Sequence, residues 1–300
     1  MEVIEEKHKP REFLVETDWL EKNLNNENLR IFDCAVNAVI NPDVEKARNT
    51  PFVFNSGRSN YELGHIPGAG FIDIPSELSD KLSSLPLMLP EEKQFVEVMS
   101  KHGISDDAQV VLYSSSEPIW AARVWWMLHE FGFNNAAILN GGWSSWVAEK
   151  RPVSIKSTKY EYSQFNVRAR RGAFVSKEDV LAAIDNNKVC IINALPSQVF
   201  EGSSEVFFGR RGRITGSVNI PFQALHDPDT KRYLAVEELQ NKFDEIAVSD
   251  VEHIITYCGG GVAAANNAFV LAMLGFKNVS VYDASMLEWG NDESLPMEMN

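Results

Sequence analysis

Short apolar runs of β-strand length recur along the chain in matching pairs. Residues 29–34 match residues 189–194, and residues 109–113 match residues 253–257. Continuous apolar runs of this length are typical of strands that are buried on both faces of a parallel sheet. The pattern therefore predicts at least two buried strands in each half of the chain.

A helical stretch follows each strand of the second pair. These stretches cover residues 121–131 and 263–274, and a glycine follows each of them as a C-terminal signal. The clearest match comes next, between residues 132–140 and residues 275–283. Because strand, loop, helix and second strand recur in the same order, we interpret the chain as a tandem duplication.

This order of elements predicts an α/β fold in both halves. Alternating strands and helices form a mainly parallel sheet flanked by helices, because right-handed crossovers place each helix on a face of the sheet. We expect a first domain at residues 1–155, a linker at residues 156–172 and a second domain at residues 173–300. The linker is polar and has few apolar residues to bury.

Charge and hydropathy narrow the kinds of partner and compartment. The 300 residues carry a formal net charge of −14, which argues against binding to nucleic acid or to an anionic membrane surface. Residues 1–16 are highly charged and lack the apolar core of a secretory signal, and no later stretch is apolar enough to span a membrane. We expect a cytoplasmic protein, and the pairing of two domains makes a monomer sufficient.

The three cysteines differ in their sequence context. Cys34, Cys190 and Cys258 are widely separated, so that neither a disulfide framework nor a zinc site is indicated. Cys34 and Cys190 lie within or at the end of apolar strands, where a cysteine is usually a small buried hydrophobic residue. Cys258 directly follows an apolar strand, at the sheet edge where α/β proteins bind ligands. We therefore predict that Cys258 is a nucleophile.

The loop that follows Cys258 suits a thiolate and an anionic ligand. Gly259, Gly260 and Gly261 let the backbone curl so that amide N–H groups face the sulfur, and a helix begins near Val262 and Ala263. The positive end of that helix adds to the effect. We predict that these five residues bind the substrate.

Several motifs in both halves resemble those of the rhodanese family. They comprise the turns at residues 64–69 and 212–221, the segments 123–128, 139–143 and 281–283, and the loop at residues 257–262. The resemblance covers nearly the whole chain. It implies two tandem rhodanese-like domains, of which the first is inactive and the second is catalytic. Ser114, at the position in the first half that matches Cys258, fits an inactive first domain.

The resemblance also implies a mechanism. Cys258 would attack the outer sulfur of a small anionic donor, carry that sulfur as a persulfide, and pass it to cyanide or to a thiol. The thiol could belong to a thioredoxin-like protein. No metal and no organic cofactor is implied. Thiosulfate is the first choice of donor and 3-mercaptopyruvate is the second.

Some positions depart from the family pattern. Leu195 and Val199 stand where members usually carry substrate-binding arginines, and Arg213 stands where a histidine is frequent. Arg210, Arg211 and Arg213 are candidate replacement cations. The glycine loop lacks the basic pair that thiosulfate-specific members carry after the cysteine. It also lacks the loop hydroxyl of mercaptopyruvate-specific members. In addition, the apolar Leu87 stands where mercaptopyruvate-specific members carry a histidine.

Two further residues are weaker candidates for substrate binding. Asp73 matches an acidic position of the first domain, although a turn or cap role is equally compatible. Trp289 matches an aromatic residue after the last strand of the second domain, where it would line the pocket or pack in the core.

Two alternative functions share features with this sequence. A phosphatase of the related Cys-loop type needs an arginine six positions after the cysteine, and Ala264 occupies that position. The missing arginines are compatible with a non-catalytic or regulatory module that binds a protein partner. The retained cysteine and the amide-rich loop favour an enzyme.

Overall fold

A computed structural model describes residues 13–47, 49–246 and 248–299. Most of the charged segment at residues 1–16 lies outside the described residues. In the first half, the strands are β1 (Leu14–Val15), β2 (Leu29–Asp33), β3 (Val36–Ile40), β4 (Phe52–Ser56), β5 (Gly70–Phe71), β6 (Gln109–Tyr113) and β7 (Ala136–Leu139). The helices are α1 (Thr17–Asn23), α2 (Val44–Ala47), α3 (Arg58–Leu63), α4 (Ile74–Glu77), α5 (Glu92–Lys101), α6 (Ile119–Glu130) and α7 (Gly142–Ala148).

The second half repeats this pattern. Its strands are β8 (Phe174–Val175), β9 (Val189–Asn193), β10 (Arg213–Ile214), β11 (Val218–Asn219), β12 (His253–Tyr257), β13 (Val279–Tyr282) and β14 (Met297–Glu298). Its helices are α8 (Lys177–Ala183), α9 (Ser197–Phe200), α10 (Val236–Asp244), α11 (Val262–Met273) and α12 (Ser285–Trp289), with 3₁₀ turns at Phe222–Leu225 and Val248–Asp250. The predicted strands and helices are therefore present within a few residues of their expected bounds.

Each half contains a five-stranded sheet in which all described pairs are parallel. The strand order is β1-β7-β6-β2-β5 in the first sheet and β8-β13-β12-β9-β11 in the second, so that the two sheets have the same topology. Side chains repeat as well. The hydroxyl of Tyr113 accepts a hydrogen bond from the amide of Ile66, and that of Tyr257 accepts one from Ile214. The α/β fold and the duplication are confirmed.

The two domains pack through their central helices. Trp125 of α6 meets Phe269 of α11 edge to face, with ring centroids 4.9 Å apart, and both side chains are fully buried. Burying large aromatic side chains is strongly favourable. The predicted linker, residues 156–172, forms no helix or strand, and it packs along the first domain with Phe165 buried against Phe95. This contact differs from the expectation of a linker with little to bury.

No helix among the described residues is long and apolar enough to cross a membrane.

A carboxyl group is buried at the end of β2. The Oδ1 atom of Asp33 accepts hydrogen bonds from the amides of Ala35 and Ser115, yet burial raises the pKa of this carboxyl to about 6 from its ordinary 3.8. At the matching position of the second sheet, Asn193 accepts a bond from the amide of Leu195. The same turn thus contains a titratable side chain, Asp33, in the first domain and a neutral one, Asn193, in the second.

This difference predicts a pH-dependent stability. Across the window from 3.8 to about 6, folded Asp33 keeps its proton while the unfolded chain loses it. The free energy of unfolding therefore falls as pH rises through this window, by about 3 kcal/mol in total. We expect Asp33→Asn to raise stability at about pH 8 by about 1–3 kcal/mol, and Asn193→Asp to introduce the same loss. Urea denaturation at several pH values measures both; an unchanged pH profile in Asp33→Asn would contradict the assignment.

Candidate active site

Cys258 stands at the carboxyl end of β12, the middle strand of the second sheet. Only 2% of the surface of Cys258 is exposed to solvent. The strand ends there because Gly259, Gly260 and Gly261 turn the chain into α11. Ligands of parallel α/β sheets bind at this edge, outside the ends of the central strands. The structure therefore places the predicted nucleophile where the fold forms its sites.

A serine that sequence reasoning missed holds the loop in shape. The Oγ atom of Ser285 accepts hydrogen bonds from the amides of Cys258, at 3.0 Å, and Gly261, at 3.2 Å, and donates one to the carbonyl of Tyr282 at 2.6 Å. The amides of Met286 and Leu287 bond to the carbonyls of Cys258 and Gly259. Two of the loop amides are thus used to fix the backbone and do not face the sulfur, unlike the prediction for the whole loop.

The amides of the first turn of α11 are available to a ligand. The N–H groups of Val262 and Ala263 have no acceptor among the described residues, as is usual for the first turn of a helix. Both residues line the same cavity as Cys258. These free amides and the positive end of α11 are the kind of groups that bind anions in proteins.

Close packing explains the glycines of the loop. A Cβ atom on Gly259 would lie 2.4 Å from the ring of Phe208, and one on Gly260 would lie 2.9 Å from a methyl group of Leu287. Gly261 has a φ of +74°, and a Cβ there would lie 2.5 Å from Oδ1 of Asp283. Each position leaves no space for a side chain.

The Gly261→Ala substitution is expected to destabilise the protein by about 2–5 kcal/mol. The left-handed conformation costs about 1–2 kcal/mol for a residue with a Cβ atom, and the collision with Asp283 adds about 1–3 kcal/mol. Gly216→Ala is the matched control, because Gly216 has the same φ of +74° and the nearest atom to its Cβ is 3.8 Å away. Chemical denaturation compares the two variants; equal losses would show that the collision has no cost.

A cavity of about 410 Å³ opens beside Cys258, between the two domains. Its walls include Phe52, Phe54 and Trp120 from the first domain, and Leu195, Val199 and Phe208 from the second. The polar side chains along it are uncharged, namely Thr50, Gln198, Ser204 and Gln223. Among the described lining residues there is no Lys, Arg, His, Asp or Glu.

The predicted replacement cations are held elsewhere. Arg210 donates hydrogen bonds to the carbonyls of Trp289, Gly290, Asp292 and Leu295, and thereby ties down the C-terminal segment. Arg213 pairs with Glu298 at 2.9 Å and lies over the ring of Phe200. Arg211 bonds to the carbonyl of Ser204 and lies over Phe207. The structure does not bring these three residues to the cavity lining.

The two weaker candidates also lie outside the lining of this cavity. Asp73 precedes α4, where its amide donates to the carboxylate of Glu77 at 2.9 Å and its carbonyl accepts from the amide of Glu77. Trp289 is fully buried, and its indole N–H donates to the carbonyl of Pro296 at 3.0 Å. Asp73 thus shapes a turn of the first domain, and Trp289 packs in the core of the second.

The other two cysteines are poor nucleophiles. Burial, together with the neighbouring carboxyl of Asp33, raises the pKa of the Cys34 thiol well above its usual value. Burial raises the pKa of Cys190 to about 11. Both thiols are therefore protonated at neutral pH. In the first domain, Ser114 has no thiol and its Oγ bonds to Ser116 at 3.1 Å.

A buried ion pair connects the two domains behind the loop. Arg123 of α6 is fully buried and lies 2.6 Å from Oδ1 of Asp283, which follows β13. A second nitrogen of Arg123 donates to the carbonyl of Leu87, and the other oxygen of Asp283 accepts from the amide of Leu89. The signal for this pair in the sequence is an arginine within the otherwise apolar run at residues 119–128 of α6.

The chain thus consists of two parallel α/β domains of the same topology, and only the second has a cysteine at the start of the loop after its central strand. These features define the class of duplicated α/β proteins with one such cysteine. A sequence profile of the rhodanese-like domain matches residues 16–149 and 176–292, and the chain belongs to the rhodanese family of sulfurtransferases. It is 33% identical over 289 residues to a 3-mercaptopyruvate sulfurtransferase of Escherichia coli K12, covering 95% of this chain and 98% of that protein.

Two further similarities support the assignment to the rhodanese family. The chain is 30% identical over 285 residues to a thiosulfate sulfurtransferase of Bos taurus, covering 92% of this chain and 91% of that protein. The crystal structure of SseA from Escherichia coli, a 3-mercaptopyruvate sulfurtransferase, has a TM-score of 0.76 at 32% identity, over 91% of this chain and 98% of that one. Both kinds of sulfurtransferase therefore occur among the relatives.

Proposed function

We propose that this protein takes a sulfane sulfur from thiosulfate, carries it as a persulfide on Cys258, and passes it to an acceptor. The observation that carries the proposal is the position of Cys258 beside the amides of Val262 and Ala263, at the rim of a cavity with no other titratable lining residue among those described. 3-Mercaptopyruvate is the second candidate donor.

The first half-reaction needs no proton donor. The thiolate of Cys258 attacks the outer sulfur of thiosulfate, the sulfur–sulfur bond breaks, and sulfite leaves with the electron pair. The amides of Val262 and Ala263 and the positive end of α11 stabilise the negative charge on the transferred sulfur. Sulfite is a stable anion, so a site without a general acid is sufficient.

The lining of the cavity lacks the acidic group that transfer from 3-mercaptopyruvate would need. Transfer from 3-mercaptopyruvate breaks a carbon–sulfur bond, and the pyruvate that leaves must gain a proton. Leu87, where mercaptopyruvate-specific members carry a histidine, is 3% exposed and offers only its carbonyl, which bonds to Arg123. The described lining contains the hydroxyls of Thr50 and Ser204 but no carboxyl, imidazole or ammonium group to supply that proton.

In the second half-reaction an acceptor removes the outer sulfur. Cyanide attacks that sulfur, the bond to Cys258 breaks, and thiocyanate leaves while Cys258 returns to its thiolate form. A thiol acceptor, including that of a thioredoxin-like protein, would react in the same way to give a persulfide. Both acceptors regenerate the enzyme without a cofactor.

Mass spectrometry of the intact protein and of its peptides tests the proposal. After exposure to thiosulfate, the peptide that contains Cys258 should gain about 32 Da, and cyanide should remove this gain. A gain with 3-mercaptopyruvate alone would make that compound the donor. No gain with either donor would refute sulfur transfer and leave the non-catalytic binding module, which the similarity to sulfurtransferases over most of the chain does not favour.

A further inference from the structure

The cavity beside Cys258 is larger than the proposed small substrates require. Its volume of about 410 Å³ lies within the range typical of pockets that enclose an organic molecule, about 300–1,000 Å³. A molecule of the size of water takes up only about 30 Å³, and cyanide is a diatomic ion of similar size. The space therefore fits an organic substrate whose reactive atom meets the sulfur of Cys258.

The walls of the cavity select for an apolar body. The rings of Phe52 and Phe208 have centroids 6.4 Å apart and connect the two domains, and Phe54 and Trp120 meet edge to face at 6.0 Å. Contact between an apolar ligand and such walls contributes roughly 25 cal/mol for each Å² removed from water. Most of the favourable energy available in this cavity is thus hydrophobic.

The same walls disfavour a carboxylate on that body. Leu195 and Val199 contribute only apolar side chains to the lining, and no described lining residue carries a positive charge. An ion that leaves water for an apolar site loses hydration, and without a counter-charge this loss is not offset. The anion-binding amides of Val262 and Ala263 lie at the Cys258 end of the cavity, where the transferred sulfur sits.

We propose that the sulfur acceptor is an uncharged organic thiol with an aromatic or branched aliphatic body. This inference rests on the proposed function of Cys258 as a persulfide carrier. The thiol sulfur bonds to the outer sulfur of the persulfide, the bond between that sulfur and Cys258 breaks, and Cys258 leaves as a thiolate. The proton of the thiol remains on the organic persulfide, so the step needs no added acid or oxidant.

A matched pair of thiols tests the inference with the full-length protein. Cys258 is first loaded with thiosulfate or, in a parallel arm, with inorganic tetrasulfide, and loading is verified by mass. The loaded protein is then mixed with phenylmethanethiol or with 4-(sulfanylmethyl)benzoate, which differ by one remote carboxylate. We expect the second-order rate constant to be at least about 10-fold larger for the uncharged thiol, since desolvating a carboxylate is costly.

The outcomes separate this inference from the proposed function. Failure of thiosulfate to load Cys258 would count against the proposed donor, while the arm loaded with tetrasulfide still measures the acceptor. Equal rates for the two thiols, or discharge by reduced thioredoxin alone, would overturn the inference although Cys258 carries sulfur.

A variant of the cavity wall should reverse the preference. Val199→Arg places a cation among the lining residues. The rate constant for phenylmethanethiol should therefore fall and that for 4-(sulfanylmethyl)benzoate should rise. We expect the ratio of the two rate constants to change by at least about 10-fold. Val147→Arg is the matched control on an exposed position of α7. If the ratio were unchanged in folded Val199→Arg, the lining of this cavity would not select the acceptor, and the inference would be overturned.

Discussion

Replacing Cys258 with serine is expected to reduce sulfur transfer from thiosulfate to cyanide by at least about 1,000-fold, which corresponds to about 4 kcal/mol of activation free energy. A serine hydroxyl does not ionise at neutral pH, and its oxygen cannot carry the sulfur as a persulfide. The fold should be unaffected, because Ser114 occupies the matching position of the first domain. Thiocyanate formation measures the rate, and circular dichroism monitors the fold.

The other cysteines provide the controls. Cys190→Ser and Cys34→Ala should keep most of the activity, because neither thiol lines the cavity beside Cys258. Both variants should still gain about 32 Da on the peptide with Cys258. Substantial transfer by Cys258→Ser, or a gain of mass on Cys190, would contradict the assignment of the nucleophile.

The second large effect is expected at the ion pair between the domains. Asp283→Asn should lower the free energy of unfolding by about 3–5 kcal/mol, because it leaves the fully buried Arg123 without a counter-charge. Activity should fall as well, since Gly261 of the loop lies directly against this pair. Chemical denaturation measures the first effect and mass labelling of Cys258 measures the second.

An exposed ion pair serves as the matched control. Lys188 and Glu252 are 2.7 Å apart with side chains 62% and 70% exposed, so Glu252→Gln should cost less than about 1 kcal/mol. Adding Arg123→Met to Asp283→Asn should recover part of the loss, because the second change removes the unpaired charge. If the double variant were as unstable as the sum of the single variants, the loss would come from packing and not from charge.

The fold could be predicted from the sequence because its signals are local and repeated. Runs such as residues 253–257 and the glycine loop after them specify strand, turn and helix within about twenty residues. The duplication added a second, independent copy of each signal. For the same reason the position of the candidate nucleophile could be predicted: Cys258 sits at a strand end that the local pattern alone defines.

The remaining parts of the site depend on contacts that the local pattern does not encode. Phe52 and Phe54 reach the cavity from a hairpin of the first domain, far from Cys258 in the chain. Arg210 looks like a free cation in the sequence, but its guanidinium is used by four backbone carbonyls near the C-terminus. Ser285 belongs to a turn whose partner, the loop amides, is visible only in three dimensions.

The walls of the cavity beside Cys258 come from both halves of the duplicated chain. Three of its aromatic side chains, Phe52, Phe54 and Trp120, come from the copy that carries Ser114 at the position matching Cys258. A substitution at one of these three positions can therefore change the shape of the cavity without altering the loop that begins at Cys258. The duplication thus divides the lining of one cavity between a copy that carries Cys258 and a copy that does not.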